Sequence, residues 1–239
     1  MECRDSRRAL LRFIEHWKPD IRIHVGDAFD LPGLRRGVSS EDSEAFDDLE
    51  SDILRGCLFL EETAPHVLLL GNHDHRLVRL RESHSKPLVR FAAQGLYERI
   101  EKQCRHTKTK ILPYHYHDGV YRLADGHLSF VHGYNAGINA VSLTATHFAL
   151  GSENHPSSVI MGHLHRVEKI MGKRWGGVRG YSIGCLADFS RMDYAAHRLA
   201  TAGWENAFAY GVCKGPSHQV WVATKTGSKW LLPTGLEEL

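Results

Sequence analysis

No apolar run in this chain approaches the roughly 18 residues that a bilayer-spanning helix needs. The stretch from Met1 to Arg12 is polar and charged, so it lacks the apolar core of a secretory signal. Cysteine is scarce and scattered: Cys3, Cys57, Cys104, Cys185 and Cys213 are odd in number and include no C-x-x-C pair. That spacing argues against a disulfide framework and against a zinc finger, and for reduced thiols in a soluble, cytoplasmic protein. Charge of one sign is also missing. A net charge of +2 over 239 residues favours neither a membrane surface nor a nucleic-acid backbone on global grounds. There is no internal repeat, heptad run or low-complexity linker. What remains is a chain with 42% hydrophobic residues, enough to bury a full core. Its length fits one domain spanning residues 1–239.

Apolar spacing predicts an opening helix with Leu10, Phe13, Ile14 and Trp17 on one face, capped by Asp5 or Ser6 and stopped by Pro19. Ile21 to Val25 reads as a strand ending at Gly26, and Leu31 to Ser43 as a loop. A helix from about Glu44 to Glu62 leads to a short strand, His66 to Leu70, that runs into Gly71. This alternation is that of an α/β fold with functional loops at strand ends. From Arg76 to Lys110 basic residues dominate, while Leu88, Phe91, Leu96, Tyr97 and Ile100 keep helical spacing. Leu128 to His132 and Ser158 to Met161 read as buried strands flanking a helix near Asn139 to Leu150. Strands at Gly180 to Cys185, Ala207 to Cys213, Gln219 to Thr224 and Lys229 to Leu232 close the chain. With no helices between them, they predict a second sheet packed on the first.

Four short segments stand out in order: Gly26-Asp27-Ala28-Phe29-Asp30, Gly71-Asn72-His73-Asp74, Val131-His132-Gly133 and Gly162-His163-Leu164-His165. Each is a glycine turn at the end of an apolar run, and glycine before Asp27, Asn72 and His163 lets the backbone turn tightly. Together they offer one Asp, one Asn and three His, a ligand set suited to hard-to-borderline divalent metals. One such turn is unremarkable; four in succession point to a metal centre.

The set resembles the motifs of the calcineurin-like metallophosphoesterase superfamily, GDxxD, GNH[DE], a lone His and GHxH, over Gly26 to His165. The wider layout is similar to small stand-alone phage and bacterial members. The resemblance implies an α/β four-layer sandwich of two mixed β-sheets flanked by helices. It implies that Asp27 bridges two metals, that Asn72, His132 and His163 complete one site, and that His165 belongs to the other. His73 is then the catalytic group facing the scissile ester, oriented by Asp30, while Asp74 pins its own loop or caps the following helix. The chemistry implied is a two-metal, in-line displacement at phosphorus with Mn²⁺, Fe or Zn²⁺. The ligand set does not choose among these metals.

Family members open with a D-x-H segment that supplies the other ligands of the first metal, and no D-x-H precedes Gly26 here. The layout places it at or upstream of Met1, so the first strand is missing from the expected fold. Either the natural chain is longer, or the first site keeps only Asp27 and His165 among these residues. The second case predicts one tightly held metal and poor hydrolysis, and leaves as alternative a catalytically impaired metal- or phosphate-binding module. Cys3 and Asp5 are the candidate stand-ins for the missing ligands.

Arg76 and Arg166, each beside a metal motif, are the candidates for binding substrate phosphate, because a guanidinium fork suits such oxygens. The basic stretch is either a guide for phosphate-bearing substrates or a solvated face. His115-Tyr116-His117 would place two imidazoles on one strand face. Trp175, Trp204 and Tyr194 are core or pocket aromatics. The expected partner is a phosphoester, small molecule or nucleic acid, phosphomonoester or phosphodiester. No membrane is expected, and no protein partner is legible.

Overall fold

The structure, a computed structural model, describes residues 3–31, 34, 43–150, 155–173, 176–191, 201 and 203–232. Most of the predicted Leu31–Ser43 loop, together with Trp175 and Tyr194, lies outside the described residues. The fold is α/β. Its contacts fall into two compact units, one comprising residues 19–119 and the other residues 2–18 and 120–239.

The first unit alternates strand and helix: β1 (Ile23–His24), α2 (Ser43–Thr63), β2 (Val67–Leu69), α3 (Asp74–Ser83), α4 (Pro87–His106) and β3 (Lys110–Leu112). The three strands form an all-parallel sheet in the order β1-β2-β3, with Ile23 opposite Val67 and Val67 opposite Lys110. Parallel pairing buries the central strand on both faces, which explains the uninterrupted apolar run of β2. Ile53 and Leu60 of α2, Leu77 of α3 and Tyr97 and Ile100 of α4 form its core with Phe29 and Leu68. The helical reading of this stretch holds: Tyr97 and Ile100 of its apolar set are buried with Ala93 and Cys104, while Leu88 and Phe91 on the same helix are both 78% exposed. Arg81 lies over the Tyr97 ring at 4.1 Å.

The second unit begins with α1 (Arg4–Trp17), whose N-cap is Cys3. Asp5 and Ser6 therefore sit inside the first turn, where Asp5 complements the helix dipole rather than capping it. Lys18 ends the helix in the left-handed conformation, one residue before Pro19. Then come β4 (Tyr121–Leu123), β5 (Leu128–Val131), α5 (Ala140–Phe148), β6 (Ser158–Met161), β7 (Val167–Met171) and β8 (Arg179–Ile183), making a mixed sheet ordered β4-β5-β6-β8-β7. Alternate residues of β6 serve opposite faces. Val159 and Met161 pack with Val141 and Ala145 of α5, whereas Ile160 joins Tyr181 and Val220. Val220 lies on the last sheet, an antiparallel one of β9 (Ala207–Lys214), β10 (Ser217–Thr226) and β11 (Lys229–Leu231). Phe13 of α1 meets Phe208 and Tyr210 of that sheet, both at 5.0 Å between ring centroids. The chain's closing strands thus split: β8 enters the mixed sheet and the other three make a sheet of their own.

Candidate metal and phosphoester site

In the first unit the chemistry-bearing loops leave the carboxyl ends of parallel strands, where α/β proteins place their ligands. Asp27 follows β1 and Asn72 follows β2. One buried carboxylate fixes both loops: Asp74 Oδ2 accepts from the N–H of Gly71 at 2.7 Å and of Asp27 at 2.8 Å, and Oδ1 accepts from Phe29 N–H at 3.0 Å. Asp74 opens α3 without capping it; His73 is the N-cap residue and makes no side-chain cap bond. Asp52 repeats the device one turn on, accepting from Leu31 N–H at 2.8 Å. The two loops also meet directly, because Asp27 Oδ1 accepts from His73 N–H at 2.9 Å. Gly71 makes this approach possible. A Cβ there would stand 2.1 Å from Asp27 Oδ1, so close packing, not an unusual φ, demands glycine.

His73 Nδ1 lies 2.7 Å from Asp30 Oδ1. With the carboxylate as acceptor, Nδ1 carries the proton and the ring orientation is fixed. Arg76 Nη1 donates to the Asp30 carbonyl at 3.0 Å, so the same residue is held at backbone and side chain. Tyr114, two residues beyond β3, also belongs to this end. Burial raises its hydroxyl above the usual tyrosine value, and the charge of Asp27 adds to the shift. Its ring lies 5.5 Å from His75, whose imidazole burial pushes down, with Arg79 adding to that effect and Glu82 opposing it. Sequence reasoning missed Tyr114 and Asp52; the available signal for Tyr114 was its place just past a third strand of the parallel set.

In the second unit His132 follows β5 and Gly162-His163-Leu164-His165 follows β6, again at carboxyl ends of parallel neighbours. His132 is only 2% exposed, and its ring stands 5.2 Å from that of His163 at a 67° angle. Gly133 has φ of +113°, and a Cβ on it would lie 2.6 Å from Met161 Cε and 3.1 Å from His163 Cβ. The left-handed strain does not fall on Gly162 as expected but on the ligand candidates: φ is +66° at His163 and +57° at His165, as it is +54° at Asp27. Non-glycine residues seldom occupy this region, and each costs on the order of 1–3 kcal/mol that surrounding structure must offset. Trp204 meets the His165 ring at 4.6 Å in a T-shaped contact, while Glu205 N–H donates to the His165 carbonyl at 2.8 Å. Arg166 Nε donates to Glu168 at 2.9 Å and Nη2 to the Gly137 carbonyl at 2.8 Å.

Within each unit the donors suit a divalent cation. Asp27 offers an oxygen beside a loop that glycine alone can approach, and His132 and His163 offer adjacent imidazole nitrogens on a rigid sheet edge. The histidines expected on one strand face lie elsewhere: His115 and His117 sit in an exposed turn after β3, with His115 Nδ1 2.8 Å from Asp118. Turn geometry wins there because Pro113 precedes it and Gly119 closes it, donating to the His115 carbonyl at 2.7 Å. The cysteines are free. Burial pushes Cys104 up to about 12 and Cys185 to about 11, so both thiols stay protonated. Among the described residues no helix is long and apolar enough to cross a membrane.

Comparison with known proteins agrees with this chemistry. Residues 2–167 match the family described as calcineurin-like phosphoesterase. The Gene 54 protein of Mycobacterium phage D29 is 26% identical over 217 residues, covering 86% of this chain and 81% of that protein. The Gene 54 protein of Mycobacterium phage L5 is 25% identical over 218 residues, covering 86% and 82%. No solved structure gives a significant match. The chain belongs to the calcineurin-like phosphoesterase family, whose members are metal-dependent hydrolases of phosphoesters.

Proposed function

We propose that the chain is a phosphoesterase and that residues 1–239 are a single calcineurin-like domain. Asp27, Asn72, His132, His163 and His165 are the residues that would hold divalent metal, two ions in the full family arrangement. Mn²⁺, Fe and Zn²⁺ all fit these donors, and the free thiols favour a reducing, cytoplasmic setting. Bound metal supplies Lewis-acid neutralisation of phosphoryl charge and a more acidic water. The remaining work belongs to side chains. His73, with Nδ1 committed to Asp30, presents Nε2 to the ester and delivers a proton to the departing oxygen. Asp30 stabilises the imidazolium that this requires. Arg76 and Arg166 are the side chains that would meet phosphoryl oxygens, because a guanidinium fork suits such groups.

The observation that carries this reading is the His73–Asp30 pair, seated on the same loops that position Asp27 and Asn72. Hydrolysis of bis(p-nitrophenyl) phosphate and p-nitrophenyl phosphate with added Mn²⁺ tests it and separates diesterase from monoesterase activity. His73→Ala is expected to lower kcat by about 10²–10⁴, the usual contribution of a general acid. A His73→Ala variant as active as its parent overturns the role given to His73.

A further inference from the structure

We propose that Asp52 is a positioning residue for the general acid: from α2 it fixes the backbone that aims the Asp30 carboxylate at His73. The inference rests on the phosphoesterase reading above and adds a residue that acts through another, without touching substrate.

Asp30 and His73 come from different loops, so their 2.7 Å contact depends on where the backbone around Asp30 is held. The amides on either side of Asp30 end on two separate buried carboxylates. Phe29 N–H donates to Asp74 Oδ1 at 3.0 Å, and Leu31 N–H donates to Asp52 Oδ2 at 2.8 Å. The two anchors differ in reach. Asp74 also gathers the Asp27 and Gly71 amides, so its loss disturbs the metal-side turns together with Asp30. The Asp52 bond falls beyond Asp30, on the side away from Asp27 in sequence.

Leu31 needs this anchor. It is fully buried, and its φ of +48° lies in the left-handed region that non-glycine residues seldom occupy. Such a conformation persists only where the surroundings over-determine it. Relaxation of Leu31 to an ordinary negative φ would reorient the adjoining peptide, and with it the Asp30 carboxylate. Helix α2 adds a second hold one turn on. Gly56 stands four residues after Asp52 and so on the same helix face. A Cβ there would collide with the Phe29 ring and stand 3.0 Å from the Ala28 carbonyl oxygen. An acceptor and a notch on one helix face thus seat the segment that carries Asp30.

The test joins a spectroscopic and a kinetic readout on the full chain. The first is the His73 Nδ1–H proton resonance, recorded with chelator present, which a charge-assisted bond to a carboxylate moves to low field. Asp52→Ala is expected to move that resonance upfield or lose it to exchange with solvent. It is also expected to lower kcat on bis(p-nitrophenyl) phosphate with Mn²⁺ about tenfold to a hundredfold, with little change in KM. Asp52→Asn keeps an acceptor oxygen and should restore most of both. Gly56→Ala pushes the Phe29 ring off α2 and should shift the resonance the same way; it stands in if Asp52→Ala does not fold. Mn²⁺ affinity by calorimetry should match the parent's in Asp52→Ala, because the Asp74 bonds remain. A parental resonance in the folded variant, Asp52→Ala or Gly56→Ala, overturns the inference, as does a loss of Mn²⁺ affinity in step with kcat. A parent that shows the resonance but no hydrolysis sinks the phosphoesterase reading, while the positioning role is still read from the resonance in Asp52→Ala.

Discussion

The two units secure their chemistry-bearing turns by different means. Around Asp27 and Asn72, the buried carboxylate of Asp74 gathers three backbone N–H groups from two loops. Around His163 and His165, the backbone itself is left-handed at both histidines, and rings of His132 and Trp204 stand against them. The first arrangement is fixed by hydrogen bonds that need no ligand. The second stores conformational energy at two neighbouring residues offered to a metal, where the first does so at Asp27 alone among its offered ligands.

Removing the carboxylate gives the largest expected effect. Asp74→Ala leaves three N–H groups of the loops without their acceptor, and denaturant unfolding should show a loss of about 3 kcal/mol or more. Asp74→Asn keeps one acceptor oxygen and should lose roughly half as much on the same grounds. A loss below about 1 kcal/mol for Asp74→Ala would mean that water replaces the carboxylate and that the contrast between the units is weaker than drawn.

Relieving strain in the second unit should move stability the other way, and by less. His163→Gly, measured with chelator present, is expected to unfold no earlier than its parent and to gain up to about 1 kcal/mol. Destabilisation by more than about 1 kcal/mol would show that the ring contact with His132 outweighs the backbone cost.

The smallest effect is a pH dependence at His218 of the second unit. On β10, His218 Nε2 lies 2.8 Å from Ser158 Oγ and Nδ1 lies 3.2 Å from the Pro216 carbonyl. Burial depresses this imidazole below its usual value; the Pro216 carbonyl partly opposes that, and the charges of Arg179 and His127 reinforce it. The unfolded chain therefore takes up a proton more readily than the folded one. Stability is fully present above about pH 6.5, the unperturbed histidine value, and is lost as pH falls through the lower folded value. Thermal melts of the parent should slope downward as pH falls below about 6.5, and His218→Gln should flatten that slope. Identical slopes would assign the acid sensitivity to other groups.

Much of this molecule was legible because its central strands are buried on both faces. β2, β5 and β6 read as apolar runs, and each ends at one of the motif turns. The strands that escaped notice, β3, β4 and β7, are all sheet edges, short and partly polar, with only one neighbour to pack on. On α4 the helix was legible, but not which of its apolar residues it buries. Leu88 and Phe91 share helical spacing with Leu96, yet the helix buries Tyr97 and Cys104 because α3 and the sheet lie on that side. In the site, residue types and order were readable, whereas the reach of Asp74 into a loop 47 residues away was not. Within its own turn Asp74 reaches back three residues to accept from Gly71 N–H, the local role its position suggests. The link to Asp27 is tertiary, and no spacing rule encodes it.

That link also has a spectroscopic consequence. The amides of Asp27, Phe29 and Gly71 hang from the two oxygens of one side chain, so releasing that side chain frees all three. In native-state hydrogen exchange they should behave as a single cooperative group with a shared opening free energy, despite their separation in sequence. Three resonances would then report, together, on whether this half of the centre is assembled.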